Sequence, residues 1–306
     1  MNESTSTASP CAALDLGGRA NPSPVVRPPS TVGHPAVAAP VPADGDAERD
    51  IARGIAQSEF IVYYQPVVEA ADLTVVATEA LLRWNHAERG ILRPEAFIAS
   101  AERTGQILTL DRIALGLAAR QVSAWARSRH GPSSVSVNLS AMHFCTADPL
   151  GPLMRTLRGA QCPAHLIDLE LTENVLIGDV ESAIRAMNAA SALGMSLTID
   201  DFGVEYAALN YLRRLPASGL KIDRSFVVDL DNHKTRTIVT SMIRLAHCLD
   251  LTVTAEGIET RAQEHFLRGS GCDYLQGYRY GAPMPAQDLQ EHVGRLNRQN
   301  SVTYNA

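Results

Sequence analysis

The feature that most constrains the fold of this chain is an alternation of short apolar strand patterns with helical patterns, which begins near residue 60. Strands are predicted at 60–68, 73–84, 135–140, 166–172, 195–201, 219–223, 251–256 and 272–277. The length of 306 residues leaves one large core or two smaller domains open. About eight strands separated by helices over about 250 residues favour a single α/β barrel. Because the first two strands are joined by the short link 69–72, we expect them to form an antiparallel hairpin.

Strand after strand ends in a polar residue. These residues are Glu79, Asn138, Glu170, Asp200 with Asp201, Lys221, Glu256 and Gln276. The C-terminal ends of barrel strands surround one pocket. The pattern therefore predicts a site in which at least five carboxylates and one amide lie close together.

A group of like charges of this kind needs a cation. Glu79 lies in the apolar run 78–84, where an isolated buried carboxylate costs several kcal/mol unless it is protonated, paired or bound to a metal. Neighbouring carboxylates also raise one another's pKa unless a divalent cation neutralises them. Oxygen ligands favour Mg²⁺ or Mn²⁺, leave Ca²⁺ as an alternative and argue against zinc. The adjacent Asp200 and Asp201 could serve two ions, an arrangement that suits phosphoester hydrolysis.

Each of these residues alone has a simpler interpretation. Glu79 could be the buried partner of Arg83, and a single acidic residue at a strand end is often a cap or a turn residue. Asp223 is interpreted as a helix N-cap or as the partner of Arg224. The metal hypothesis therefore depends on the whole set of residues and not on one of them.

Composition excludes several classes of function. The net charge of −6 and the isoelectric point near 5.8 give no basic surface for duplex nucleic acid. The five cysteines form no Cys-x-x-Cys pair, which is typical of free thiols in a reducing compartment. No apolar run is long enough to span a bilayer, and the N-terminus lacks the pattern of a secretory signal. We therefore expect a cytoplasmic protein.

The domain organisation is predicted from composition. Residues 1–45 are rich in Pro, Ala and Ser and are expected to form a disordered tail, which could also bind a protein partner. The barrel domain is expected to span 46–298, and 299–306 to form a flexible C-terminus.

The polar strand ends belong to longer motifs that resemble those of the EAL-domain family, bacterial cyclic-di-GMP phosphodiesterases, over about residues 50–295. The matching pieces are Tyr64-Gln65-Pro66, Glu79-Ala80-Leu81-Leu82-Arg83-Trp84, Val137-Asn138-Leu139-Ser140, Leu169-Glu170-Leu171-Thr172-Glu173, Asp200-Asp201-Phe202-Gly203, Lys221-Ile222-Asp223-Arg224-Ser225-Phe226-Val227, Ala255-Glu256-Gly257-Ile258-Glu259 and Gln276-Gly277-Tyr278. Their order and spacing both fit. The resemblance implies a modified TIM barrel with an antiparallel first strand.

The resemblance also implies an activity, the opening of cyclic-di-GMP to linear pGpG, and roles for individual residues. It implies a first metal site at Glu79, Asn138, Glu170 and Asp200, a second at Asp201, and a metal-linked general base at Glu256. Lys221 matches the lysine that positions the attacking water or stabilises developing charge. The catalytic residues that the resemblance implies are therefore Lys221, Glu256 and Glu79. Positions near the ligand are Gln65, Arg83 and Gln276, and loop-supporting positions are Glu173 and Glu259.

The sequence departs from the family pattern in the loop after Gly203. The family's Thr-Gly-Tyr-Ser-Ser is replaced here by Val204-Glu205-Tyr206-Ala207-Ala208. A left-handed conformation costs Glu205 about 1–2 kcal/mol more than glycine. Val204 and the two alanines lack the three hydroxyl groups of the family pattern. In the family this loop holds metal, substrate and the dimer partner.

Three functions follow from these patterns. The first is a phosphodiesterase that uses Mg²⁺ or Mn²⁺ to hydrolyse cyclic-di-GMP, with activity reduced by the altered loop and with a homodimer as the expected assembly. The second is a catalytically weakened binding module that senses cyclic-di-GMP or regulates a protein partner. The third is a Mg²⁺-dependent barrel enzyme that abstracts a proton from a carboxylate substrate, which rests on the acidic residues alone.

Overall fold

The computed structural model describes residues 44–128, 131–172, 180–204 and 212–303. The strands are β1 (Phe60–Glu69), β2 (Val75–His86), β3 (Gly90–Leu92), β4 (Ser134–Asn138), β5 (Ile167–Thr172), β6 (Ser196–Phe202), β7 (Gly219–Ile222), β8 (Thr252–Ala255) and β9 (Tyr274–Gln276). The helices are α1 (Asp44–Ala56), α2 (Ile98–Arg103), α3 (Ile107–Ser128), α4 (Gly151–Gly159), α5 (Val180–Ala192), α6 (Arg224–Val228), α7 (His233–Cys248), α8 (Arg261–Gly269) and α9 (Ala286–Thr303).

Eight of the strands close into a barrel. The strand order is β1-β9-β8-β7-β6-β5-β4-β2, and a further pairing of β1 with β2 closes the ring, while β3 extends β2 on the outside. β1 runs antiparallel to both of its neighbours, whereas the pairs from β2 and β4 round to β8 and β9 are parallel. The predicted α/β barrel with an antiparallel first strand is therefore confirmed.

The parallel strands alternate between apolar and polar residues. The apolar members, such as Val137, Leu169 and Leu220, are buried in the core that includes residues of the surrounding helices. The polar members, such as Ser136 and Thr198, line the barrel interior. Parallel strands that are covered on both faces usually read as continuous apolar runs, and barrel interiors are usually filled by branched apolar side chains. In this chain the apolar core lies outside the barrel wall, and the barrel axis is polar.

Helix α1 is attached beside the β2–β3 hairpin. Its buried side chains are Ala47 and Ile51. Asp50 accepts from Arg53 at 2.6 Å and from Arg89 at 2.5 Å, and it lies 3.1 Å from Nε2 of the buried His86. The His86 Nδ1 accepts from the backbone nitrogen of Glu88 at 3.1 Å, and its Nε2 lies 3.1 Å from Asp50 Oδ2 and 3.2 Å from Arg53 Nη2.

The predicted domain limits remain predictions. Residues 1–43 of the expected tail lie outside the described residues, and α1 begins at Asp44. Helix α9 ends at Thr303 and therefore overlaps the segment 299–306 that was expected to be flexible. None of the helices in the described ranges has both the length and the hydropathy needed to cross a membrane.

Gly277 holds together two loops at the C-terminal mouth of the barrel. A Cβ atom at this position would lie 2.2 Å from both the backbone nitrogen and the backbone oxygen of Ile258. The backbone nitrogen of Ile258 donates to Gln276, and that of Arg279 donates to Ile258, both at 3.0 Å. The loop that follows β8 and the loop that follows β9 therefore touch through their backbones, and glycine is required at the contact.

We predict that Gly277→Ala lowers the free energy of unfolding by about 2 kcal/mol or more, because two backbones would have to separate and overpacking of this kind costs about 1–3 kcal/mol. The matched control is Gly159→Ala at the end of α4, where a Cβ would meet nothing within 4 Å. Urea unfolding of the two variants checks the prediction. Equal stability of both would show that the loops separate without cost.

Candidate active site

The polar residues that end the strands meet at one mouth of the barrel, around the side chain of Lys221. Its Nζ lies 2.9 Å from Glu170 Oε2, 3.4 Å from Glu79 Oε2 and 3.5 Å from Asp200 Oδ1, and it also contacts Glu256 Oε1. Lys221 is 2% exposed. Four carboxylates therefore surround one buried ammonium group: Glu79 lies within β2, Glu170 and Asp200 lie near the ends of β5 and β6, and Glu256 follows β8.

Three amide side chains complete the cluster. Asn138 Nδ2 donates to Glu79 Oε1 at 2.8 Å and lies 3.4 Å from Glu170 Oε2. Gln276 Nε2 donates to Glu79 Oε2 at 2.6 Å and to Gln65 Oε1 at 3.2 Å. Gln65 and Gln276 are both buried. Gln276 holds Glu79 directly, and Gln65 does so through Gln276.

A bulge in β6 gives Asp200 and Asp201 their positions. The pairing of β6 with β7 shifts register between Ile199 and Phe202, and Asp201 has a φ of 54°. Its backbone nitrogen donates to Asp200 Oδ1 at 2.9 Å. A regular strand would send consecutive side chains to opposite faces, whereas a bulge re-aims them. Asp200 is therefore buried in the cluster while Asp201 stays exposed at its rim.

The cluster carries more negative charge than one ammonium group neutralises. Burial and the neighbouring Glu79 raise the pKa of Glu170 well above its usual value. Burial opposes ionisation of Glu79 too, but Lys221 and the two donating amides outweigh it and hold the pKa of Glu79 below its usual value. The pKa values of these two neighbouring carboxyl groups are therefore shifted in opposite directions.

The remaining groups show the same surplus of negative charge. Burial raises the pKa of Glu256 to about 8, although Lys221 opposes the shift. Although part of Asp201 is exposed, the partial loss of its hydration and the neighbouring Asp200 raise its pKa to about 6. Burial disfavours the charge on Lys221, but the surrounding carboxylates, Asp200 first, hold its pKa well above the usual value. Lys221 is thus a permanent cation in a site that can accept further positive charge.

This donor set fits a hard divalent cation. Every side chain that could act as a ligand supplies oxygen, and burial, with a smaller effect of neighbouring carboxylates, raises the pKa of both Glu170 and Glu256. Among the described residues no three His, Cys, Asp or Glu side chains are arranged as a formed metal site. The reason is visible in the distances, because the carboxylates turn towards the Lys221 ammonium group at their centre.

Arg83 lies on the same face of β2 as Glu79, further towards the mouth. It is buried, it donates from Nη1 to the carbonyl of Leu82 at 2.8 Å, and its guanidinium carbon lies 5.7 Å from the centre of the Tyr63 ring. Burial lowers its pKa from the usual value, yet arginine stays charged. The stacked, oriented guanidinium suits an anionic group such as a phosphate.

Sequence reasoning missed Asp111, which fixes the turn after Asn138. Its Oδ2 accepts from the backbone nitrogen of Ser140 at 2.9 Å and lies 3.4 Å from Nε2 of the buried His143. Burial raises the pKa of Asp111 above its usual value. The signal in the sequence was a carboxylate on the apolar face of a helix, next to Leu110.

Of the two predicted loop-supporting residues, only Glu259 lies within the described residues. Glu173 lies outside the described residues, as do Glu205, Ala207 and Ala208 of the altered loop. Glu259 accepts from Arg224 at 2.8 Å near the surface. The stem of Arg224 packs against Gly257, which has a φ of 71° and follows Glu256 directly. Glu259 therefore contacts the loop after β8 through Arg224 and does not reach the cluster itself.

The structure is a barrel with carboxylates and a lysine gathered at its C-terminal mouth, and comparisons with known proteins define its family. The sequence matches the family described as EAL domain over residues 48–283. This chain therefore belongs to the EAL-domain family.

Two similar curated proteins come from Pseudomonas aeruginosa. The bifunctional diguanylate cyclase/cyclic di-GMP phosphodiesterase MucR is 39% identical over 246 residues, which cover 80% of this chain and 36% of MucR. The cyclic di-GMP phosphodiesterase NbdA is 36% identical over 247 residues, covering 80% of this chain and 32% of NbdA. This chain thus spans about a third of the length of these relatives.

A solved structure shows the same fold. The PaMucR phosphodiesterase in its c-di-GMP complex superimposes with a TM-score of 0.76 at 36% identity, covering 79% of this chain and 99% of that one. The family and the barrel fold that the sequence motifs implied are both confirmed.

We predict that Lys221→Met lowers the free energy of unfolding in metal-free buffer by about 3 kcal/mol or more, because it leaves buried carboxylates without their cation. Adding Mg²⁺ or Mn²⁺ should recover more stability in this variant than in the unmodified protein. The matched control is Lys234→Met, at an exposed position of α7. Urea unfolding with and without the cation tests the prediction, which fails if the two variants are equally stable.

Proposed function

We propose that this chain is a metal-dependent phosphodiesterase that hydrolyses cyclic-di-GMP to linear pGpG. The observation that carries the proposal is the convergence of Glu79, Glu170, Asp200 and Glu256 on Lys221 at the C-terminal mouth of the barrel. Membership of the EAL family and similarity to two proteins named as cyclic di-GMP phosphodiesterases support the choice of substrate.

The donor set supports a site for Mg²⁺ or Mn²⁺. The proposed ligands of one ion are Glu79, Asn138, Glu170 and Asp200, with Asp201 for a second ion and Glu256 as a metal-linked residue. Bound divalent cations supply Lewis acidity and lower the pKa of coordinated water, which provides a nucleophile near neutral pH. The surplus negative charge described above is what such ions would neutralise.

The chain's own residues have distinct proposed roles. Lys221 stays charged and can stabilise the negative charge that develops on the phosphate oxygens. Glu256 suits proton exchange, because its pKa of about 8 lies near the operating pH of a general base or acid. Arg83, Gln65 and Gln276 are proposed to lie near the bound ligand, where the guanidinium of Arg83 suits a phosphate.

The proposal extends to the setting of the protein. We place the folded domain at 46–298 and the protein in the cytoplasm, where unpaired cysteines are stable. A homodimer and a protein partner for residues 1–45 are further parts of the proposal, supported by the family resemblance and by the composition of the tail.

A second candidate function is a binding module that senses cyclic-di-GMP or regulates a protein partner without efficient turnover. The altered loop after β6 favours it. Val204, which stands where the family pattern has threonine, is 55% exposed, directly after Gly203 with its φ of 92°. An apolar side chain at this rim offers no hydroxyl to a ligand.

The two functions are separated by a hydrolysis assay with purified protein, cyclic-di-GMP and Mg²⁺ or Mn²⁺. We expect pGpG as the product and a loss of at least about 100-fold in rate for Glu79→Gln and Lys221→Met, because each removes a group that contacts the reacting centre. Exposed Glu181 on α5 gives the control Glu181→Gln, which should turn over normally. Binding of cyclic-di-GMP without product would instead establish the binding module.

The same assay tests the loop. The double change Val204→Thr with Glu205→Gly restores the family residues at two positions and is expected to raise turnover, because it returns a hydroxyl and a glycine that tolerates positive φ. If turnover does not rise, the loop is not the cause of any reduced activity.

A further inference from the structure

A chamber lies inside the barrel, directly beneath the cluster around Lys221. Its volume is about 330 Å³, and its walls include Ser136, Asp168, Thr198 and Thr254. Side chains of Glu170 and Lys221 form its roof. Its volume has room for on the order of ten water molecules, since each occupies about 30 Å³ in the liquid.

The walls of the chamber are suited to water. Thr198 Oγ1 donates to Asp168 Oδ2 at 2.7 Å. In the part of the chain that the structure describes, no protein donor reaches Asp168 Oδ1 or Oε1 of Gln276, although both atoms are buried. Since buried polar atoms are almost always hydrogen-bonded, these two oxygens add unsatisfied polar character to a wall that already carries Ser136, Thr198 and Thr254.

The chamber opens at the N-terminal mouth of the barrel. Ser196, Ser218 and Thr252 lie at this rim and are exposed, whereas Thr254 deeper inside is half-buried. Lys221 at the roof is 2% exposed. Exposure therefore falls steadily from the N-terminal rim to the underside of the carboxylate cluster, as expected for a water-filled passage that ends there.

Hydrolysis of a cyclic dinucleotide at the opposite mouth would consume one water molecule per bond. The water oxygen forms a new bond to phosphorus, the bond from phosphorus to one ribose oxygen breaks, and one proton of the water ends on that ribose oxygen. The second proton stays on the product phosphate and exchanges with solvent. A ligand that covers the C-terminal mouth also obstructs the entry of the next water molecule from that side.

We propose that the chamber is a second solvent entrance, through which water reaches the underside of the candidate active site from the N-terminal mouth. Its role in turnover rests on the proposed function, while its solvent access does not. The residues that define it are Ser136, Asp168, Thr198 and Thr254, none of which has a role in the chemistry proposed above.

Solvent access is tested by thiol labelling of the full chain. Thr254→Cys places a thiol in the chamber, and Ala255→Cys places one on the opposite face of the same strand, at a position that is 0% exposed. With a small methanethiosulfonate reagent and peptide mass spectrometry, we expect labelling about tenfold or more faster for Thr254→Cys, because thiol reactivity follows exposure. Saturating cyclic-di-GMP should leave this rate unchanged. Equal labelling of both variants, or protection by cyclic-di-GMP, overturns the proposal.

The role in turnover is tested by filling the chamber. Thr254→Met and Ser136→Met add volume to its walls, and Thr254→Val is the control of equal size. We expect the single-turnover rate at saturating cyclic-di-GMP to fall about tenfold in the methionine variants, with the Kd for cyclic-di-GMP unchanged, because the ligand binds at the other mouth.

The outcomes of the two experiments are distinguishable. Unchanged turnover in a folded methionine variant, whose circular dichroism and unfolding midpoint match those of Thr254→Val, contradicts the proposed role. If the unmodified protein cleaves no cyclic-di-GMP, the proposed function fails, and the labelling comparison of Thr254→Cys with Ala255→Cys still decides whether the solvent entrance exists.

Discussion

The structure depends on one buried ammonium group. Lys221 is 2% exposed and neutralises part of the charge of four carboxylates, and without it those carboxylates would be buried like charges with no cation. Burying unpaired charge costs several kcal/mol for each group, which is a large part of the stability of a typical domain. One ammonium group faces four carboxylates, and burial with the neighbouring carboxylates raises the pKa of Glu170 and Glu256. The site therefore combines enough positive charge to fold with enough negative charge to attract more cations.

The barrel wall makes this arrangement possible by separating two environments. Apolar residues of the parallel strands, such as Leu169 and Val253, are fully buried in the core outside the barrel. The alternate positions bring Asp168, Thr198 and Thr254 to the barrel axis. The next inward-facing residues towards the C-terminal mouth, such as Glu170 and Lys221, belong to the cluster. The polar layers replace the branched apolar filling of most barrels. Polar side chains therefore line the barrel interior directly beneath the candidate active site. They belong to the same alternation of polar and apolar residues that forms the strands.

Much of this organisation could be predicted from the sequence, because it depends on local patterns. The strands, the hairpin at the start of the barrel and the polar strand ends all follow from alternation and short links, and Asp223 is the N-cap of α6 as interpreted. The positive φ of Asp201 and the bulge around it could not be predicted, because Asp-Asp reads as a continuous strand. The contact of Gln276 with Gln65 joins residues that are 211 positions apart, and no local pattern indicates it. The support of the turn after β4 by Asp111 is likewise a tertiary contact.

The central claim is that the carboxylates at the C-terminal mouth bind a divalent cation. Titration of the metal-free protein with Mn²⁺, followed by electron paramagnetic resonance of the free ion, tests it most directly, since it requires neither substrate nor turnover. We expect saturable binding that weakens by about tenfold or more in Glu79→Gln and Glu170→Gln, because each loses a charged oxygen ligand. The exposed substitution Glu181→Gln should leave the affinity unchanged. Equal Mn²⁺ affinity in all four proteins, or no saturable binding in any of them, would contradict the account.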